Sequence, residues 1–155
     1  MFLEQLDMHW IENEWFASMD QALNGVSAAE AAWTSSGSNS IWQIANHLIF
    51  WNEDVIHRID GTKNPLKPET NEETFGKPGD PEDEAGWDQT VQRLNEVMNT
   101  LKTVIAALDD EKLKVPYAAG RYSIERLLSN VMMHDTYHLG QIVLLRKLQS
   151  SWSGV

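Results

Sequence analysis

Apolar residues recur at intervals of three and four along four long stretches of this chain, a pattern that reads as four helices. From Phe2 to about Asn24 no Pro or Gly intervenes, and Leu3, Leu6, Trp10, Phe16, Met19 and Leu23 form a broad, drifting stripe. One long amphipathic helix is predicted there, ended by the pair Asn24-Gly25. A polar loop rich in Ser, Thr and Ala follows. Ser40 with Gln43 matches a capping box and opens a second helix, apolar on nearly every side from Ile41 to Trp51 and fading near Asp60-Gly61. In the third helix Trp87, Val91, Leu94, Met98, Leu101, Ile105 and Leu108 alternate spacings of four and three, with no polar group in the seam. Ser123 is the predicted N-cap of the last helix, with Glu125 favourably placed in its first turn and an end near Leu148.

The connections differ in kind. Residues 61–84 hold four of the five prolines, Pro65, Pro68, Pro78 and Pro81, and no periodicity survives there. A stretch of this length is expected to be disordered or a plain wrapped connection, with a lid over a site as the alternative. After Asp109-Asp110 comes a connector with Pro116, Gly120 and two tyrosines, and the tail from Ser150 to Val155 is expected to be loose. Four long helices joined over the surface imply an all-α four-helix bundle occupying residues 1–155 as one domain.

Histidines interrupt this apolar design. His134 and His138 stand four residues apart and therefore on one helical face, the face that also carries Ile124, Leu127, Leu128, Val131, Ile142, Leu145 and Gln149. His47 lies in the buried half of the second helix, beside Trp51. A bundle brings these three imidazoles together, and neutral imidazole binds Zn, Ni, Fe or Cu. Three protein ligands leave a position for water or substrate, which marks a catalytic rather than a structural site. On spacing alone two readings stay open: core histidines bonded to their surroundings, or ligands of one shared metal whose binding offsets their desolvation. The spacing is not that of the zincin HExxH, because position 135 is Asp; Asp135 is instead a candidate to orient an imidazole. His9 and Asn13, at spacing i, i+4 on the first helix, are either a bonded polar pair or pocket-lining groups, and Trp51 and Gln141 are further pocket candidates.

Composition narrows the chemistry. There is no cysteine, so a metal here must take nitrogen and oxygen ligands, and an intracellular setting is the expectation. The first residues, Met1 to Asp7, carry acids early and no basic lead, unlike a signal peptide, and charges interrupt every apolar run well before the ~20 residues of a membrane helix. A formal net charge of −11 repels phosphate backbones and acidic membranes, which excludes both as expected partners. The seven tryptophans are expected to be mostly core aromatics, with some bounding a pocket.

Two segments carry a resemblance. Ser40-Ile41-Trp42-Gln43-Ile44-Ala45-Asn46-His47-Leu48-Ile49-Phe50-Trp51 and His134-Asp135-Thr136-Tyr137-His138-Leu139-Gly140-Gln141-Ile142 resemble the DinB-like family, also called YfiT-like metal-dependent hydrolases, and the likeness spans the chain in helix order and length. The resemblance implies an up-down-down-up four-helix bundle, usually a homodimer, holding a divalent metal such as Zn, Ni, Fe or Mn. It places the ligands at His47, His134 and His138. Characterised members of that family include transferases and isomerases that use a low-molecular-weight thiol, which implies a thiol S-transferase acting on a small molecule, with a cytoplasmic location expected; without cysteine in the chain, the sulfur would come from a cofactor. The other expectations are a hydrolase that uses metal-activated water, with Asp54 or Asp135 as base, and a metal-binding stress-response protein without turnover.

Overall fold

The computed structural model describes residues 1–117 and 122–154. Seven α-helices follow in order among the described residues: α1 (Phe2–Trp10), α2 (Met19–Leu23), α3 (Ala28–Ala32), α4 (Ile41–Asp60), α5 (Glu84–Ala106), α6 (Asp110–Lys114) and α7 (Ile124–Leu148). Among the described residues the fold is all-helical, with one isolated β-bridge between Pro116 and Ser123. No helix among the described residues is long and apolar enough to cross a membrane. The connector glycine Gly120 and the last residue, Val155, lie outside the described residues.

α4 packs against α5 and α7, and α1 closes the ring by packing against both of them. The core runs through this ring: Leu6 and Trp10 of α1, Ile44 and Leu48 of α4, Leu94, Met98 and Leu101 of α5, and Leu128, Leu139 and Ile142 of α7. The predicted ends of α4 hold. Ser40 accepts from the Gln43 amide while the Gln43 side chain accepts from the Ser40 amide, and Gly61 closes the helix in the left-handed conformation with φ 71°. α5 begins three residues before Trp87, capped by Asp83, and buries the expected seam.

The first predicted helix is broken. α1 stops at Trp10 and the chain re-enters helix at Met19. Asn13 explains the interruption: its Oδ1 accepts from the amide and hydroxyl of Ser18, and Ser18 in turn caps α2. Side chains of Asn and Ser that offer the backbone local partners compete with helix continuation. Phe16, a member of the expected stripe, and the neighbouring Trp15 are exposed as a result. The polar loop after α2 contains a short helix, α3, opened by a second capping box, Ser27 with Glu30.

One further expectation is narrowed and one changes. The long connection between α4 and α5 is a wrapped strap, the second of the two expected states, with a 3-10 turn at Glu72–Phe75 that the sequence pattern does not predict. Three side chains along one flank of α4 hold it: Ser40 donates to Pro78 O (2.7 Å), Gln43 to Gly76 O (3.0 Å) and Asn46 to Phe75 O (3.5 Å). Gly79, at φ 100°, lies so close to the Trp42 indole that a Cβ there would collide with it. The tail is likewise tied down: Arg146 donates to Ser151 O (2.8 Å), and its guanidinium lies 5.4 Å from the centre of the Trp152 ring. Ser123 does sit at the N-cap of α7, but its hydroxyl donates to Glu125 rather than accepting from the helix backbone.

Candidate metal centre

α4 and α7 place His47, His134 and His138 together. Nε2 of His134 lies 3.0 Å from Nε2 of His47 and 3.1 Å from Nε2 of His138, and one ligand atom from each residue lies within 4.8 Å of the others. His47 and His138 are buried, whereas the His134 side chain is 31 % exposed.

The partners of the other ring nitrogens fix where each proton resides. Thr74 donates its hydroxyl proton to Asn71 O (2.6 Å), so towards His47 Nδ1, 2.5 Å away, it can only accept. His138 Nδ1 faces Gln141 Oε1 at 2.7 Å, and His134 Nδ1 faces Asp135 Oδ1 at 3.3 Å; both oxygens are acceptors. Each imidazole thus carries its proton on Nδ1 and turns the Nε2 lone pair inward. Neutral lone pairs 3.0 and 3.1 Å apart repel one another. Protonation is a poor remedy: burial first, then the neighbouring His138 and His134, push His47 down to about 3 against the pull of Asp135. Burial likewise holds His138 below its ordinary value, although Gln141 opposes it.

A shared cation removes the conflict. Two imidazole nitrogens bound to one ion at ~2.0–2.1 Å are separated by about 2.9 Å at a right angle and about 3.4 Å at the tetrahedral angle. Both of these separations fall in that range, so the three histidines fit a divalent metal in donor type and tautomer, and His134 fits each of the other two in spacing.

Behind the histidines lies a second polar group. Asp135 is 1 % exposed, and the Asn52 amide donates to both of its oxygens, at 3.2 and 3.1 Å. Burial pushes this carboxyl up, but hydrogen bonds and charge from His134 and His9 outweigh it and hold the group below the usual carboxylate range. His9 is buried on the far side of Asp135, its Nε2 3.8 Å from Oδ2.

In front of the histidines opens a cavity of about 580 Å³. Its walls include Trp51, Asp54, Val55, Arg58, Phe75, Tyr137 and Gln141. Phe75, carried in by the strap, stacks on the His47 ring with centroids 3.8 Å apart and planes 7° apart, and Trp51 meets the same ring edge-on. Asp54 is engaged by Arg58 at 2.6 Å. Of the residues singled out in the sequence, Trp51 and Gln141 line this cavity with the three histidines, whereas Asp135 and His9 lie behind them. Asn13 does neither; it belongs to the break between α1 and α2. His57 lies apart, bonded to Thr62 at the exposed end of α4.

A family model described as the DinB superfamily matches residues 11–142, which include all three histidines. The chain belongs to the DinB superfamily. No match was found among curated proteins. Both segments that carry the family resemblance, residues 40–51 and 134–142, fall inside the match. Three residues of this DinB chain that shape the centre were not read from the sequence. Asn52 had a signal: in the series Ile41, Ala45, Leu48, Asn52, Val55, Ile59 it is the polar member of an otherwise apolar seam. Thr74 and Phe75 had none, because only the path of the strap brings them to His47.

Proposed function

We propose that this protein is a divalent-metal-dependent enzyme acting on a small molecule, with a low-molecular-weight thiol as co-substrate, in the manner of a thiol S-transferase. The observation that carries the reading is the convergence of three Nε2 lone pairs, each with its proton held at Nδ1, beside a cavity large enough for a small-molecule ligand. His47, His134 and His138 would hold the ion. When bound, a divalent cation there supplies the Lewis acidity that keeps a thiol ionised at neutral pH. Thr74, Asp135 and Gln141 keep the imidazole protons away from that side, and Phe75 and Trp51 provide an apolar wall that excludes water from it.

One feature favours a thiol over water as the nucleophile, and the lack of cysteine in the chain is compatible with it, since the sulfur would arrive with a co-substrate. A carboxylate base facing the cavity would assist a hydrolase, and Asp135 is buried behind His134 with both oxygens engaged, leaving Asp54, which Arg58 already pairs. Asp54 does line the cavity, and it is the specific support for hydrolysis as the second reading. Zn, Ni, Fe and Mn are the ions to test. A cytoplasmic location and a homodimer belong to the same reading; the dimer is supported by an exposed uncharged stripe on α7, Met133, Tyr137, Gly140 and Leu144.

Elemental analysis of the purified protein, followed by titration of the metal-loaded form with cysteine and glutathione and a panel of electrophiles, tests the proposal. The expected result is one divalent ion per chain, thiol binding, and accelerated thiol addition. Metal uptake without thiol binding or acceleration overturns the transferase reading.

A further inference from the structure

α1 contributes nothing to the cavity wall and lies outside residues 11–142 that match the family, yet it buries a histidine against the metal centre. His9 is 2 % exposed; its Nδ1–H donates to Gln5 O at 2.8 Å, and its Nε2 faces Asp135 Oδ2 at 3.8 Å with no hydrogen-bond partner among the described residues. Asn52, on α4, spans both Asp135 oxygens with one amide nitrogen and anchors that nitrogen to Leu48 O at 2.9 Å. Three helices thus meet at one buried carboxylate, and its remaining neighbour is His134 Nδ1.

We propose that His9 and Asn52 are positioning residues of the metal centre, acting on His134 through Asp135. The inference rests on the metal reading above. His134 is the ligand most in need of such support. Phe75 stacks on His47 and Gln141 meets His138 at 2.7 Å, but His134 is partly exposed and its Nδ1 partner is the more distant Asp135, at 3.3 Å. A carboxylate on Nδ1–H fixes the tautomer and ring plane of a ligating histidine and makes its other nitrogen a better donor. The carboxylate can do so only while it is held in place itself, which is the task of the Asn52 amide on one side, with the His9 ring 3.8 Å away fixing its position on the other. A purely structural role is a poor account of the cluster. Apolar side chains of similar volume often fill such a space at no loss of stability, whereas here Nε2 of His9 and Oδ1 of Asn52 have no hydrogen-bond partner among the described residues.

The test compares the full chain with His9→Leu, His9→Gln, Asn52→Leu and the near-isosteric Asp135→Asn. Each protein is loaded with Zn²⁺ and titrated with a chromophoric chelator, and each is also loaded with Co²⁺ for its visible absorption spectrum. Melting of the metal-free forms is followed in parallel. The expected result is a loss of zinc affinity of about ten- to a hundredfold in His9→Leu, Asn52→Leu and Asp135→Asn, with altered Co²⁺ bands. His9→Gln, whose amide can place a donor towards Asp135, is expected to restore most of both. Zinc affinities within twofold of wild type and an unchanged Co²⁺ spectrum overturn the proposal, even if the metal-free variants melt earlier, because that outcome means a structural role. Should the leucine variants not fold, Asp135→Asn and His9→Gln decide by the same two readouts. A wild-type chain that takes up no zinc overturns the metal reading and this inference together. Uptake by wild type with unaffected variants overturns this inference alone.

Discussion

Nε2 of His47 stands 3.0 Å from Nε2 of His134, although the two residues lie 87 positions apart on different helices. Neither nitrogen carries a proton, because Thr74 and Asp135 hold those protons on the opposite side of each ring. Two lone pairs pressed together by a folded core form a site with a strong preference for a cation, and the consequences can be measured.

Replacing any one of the three histidines by alanine is expected to lower affinity for a divalent metal by more than about a hundredfold, since a ligand is lost outright. His57→Ala is the control, because His57 bonds Thr62 away from the cluster. Metal content per chain after identical purification distinguishes the outcomes. An empty His57→Ala protein beside a loaded His47→Ala protein would contradict the ligand set.

Thr74→Val keeps the volume of the side chain and removes the acceptor of the His47 Nδ1 proton. The buried N–H then lacks a partner, which costs roughly 1–3 kcal/mol of stability, and the preferred tautomer is no longer enforced. Metal affinity is expected to fall about tenfold to a hundredfold. A chelator competition at pH 7 and a denaturant titration of the metal-free form read the two effects separately.

Acid destabilises the metal-free protein in a defined window. His47 is pushed down to about 3 in the folded chain, mainly by burial, while an unfolded histidine titrates near ~6.5. Between those values the unfolded chain binds more protons, so stability rises with pH there. The contribution is complete above about 6.5 and is lost progressively as pH falls towards about 3, by up to ~1.4 kcal/mol per pH unit for this group. Urea midpoints at pH 7, 5.5 and 4.5 in the presence of chelator should fall in that order, and His47→Phe should flatten the dependence.

Arg146 is buried and donates to Ala22 O (3.0 Å), Asn24 O (3.1 Å) and Ser151 O (2.8 Å), so one guanidinium joins the end of α2 to the tail. Arg146→Ala leaves those carbonyls without their donor and removes the cation over Trp152. A loss of about 3 kcal/mol is expected, visible as a lower melting temperature.

The α7 stripe offers a direct test of the proposed homodimer. Tyr137 is 65 % exposed and Leu144 56 % exposed. Leu144→Lys is expected to convert a dimer to monomers in sedimentation velocity without changing metal content. An unchanged sedimentation coefficient would remove this stripe as the interface.

How much of this could be read in advance depended on how local the cause was. The start and end of α4 were legible because Ser40, Gln43 and Gly61 act within one helical turn. The same logic was present and unused at Ser27 and Glu30, which open α3. The seam of α5 was legible because its spacing of three and four is a property of one helix turned to one core. α1 was overextended because an apolar stripe persists through Phe16, while the competition from Asn13 and Ser18 becomes visible only when their hydroxyl, amide and carbonyl groups meet.

The sequence by itself determined an all-helical chain, the register that puts His134 and His138 on one face, and a third histidine in the buried half of α4. These follow from periodicity and capping, which are set by residues within a few positions of one another. Only the tertiary structure decided that the three Nε2 atoms converge, that a proline-rich strap delivers Thr74 and Phe75 to His47, and that His9, Asn52 and Asp135 from three helices share one buried position. Those relations join residues 27 to 126 positions apart, and no local spacing encodes them. They exist because helix packing and the hydrogen bonds of the strap bring distant polar groups into one volume from which water is excluded.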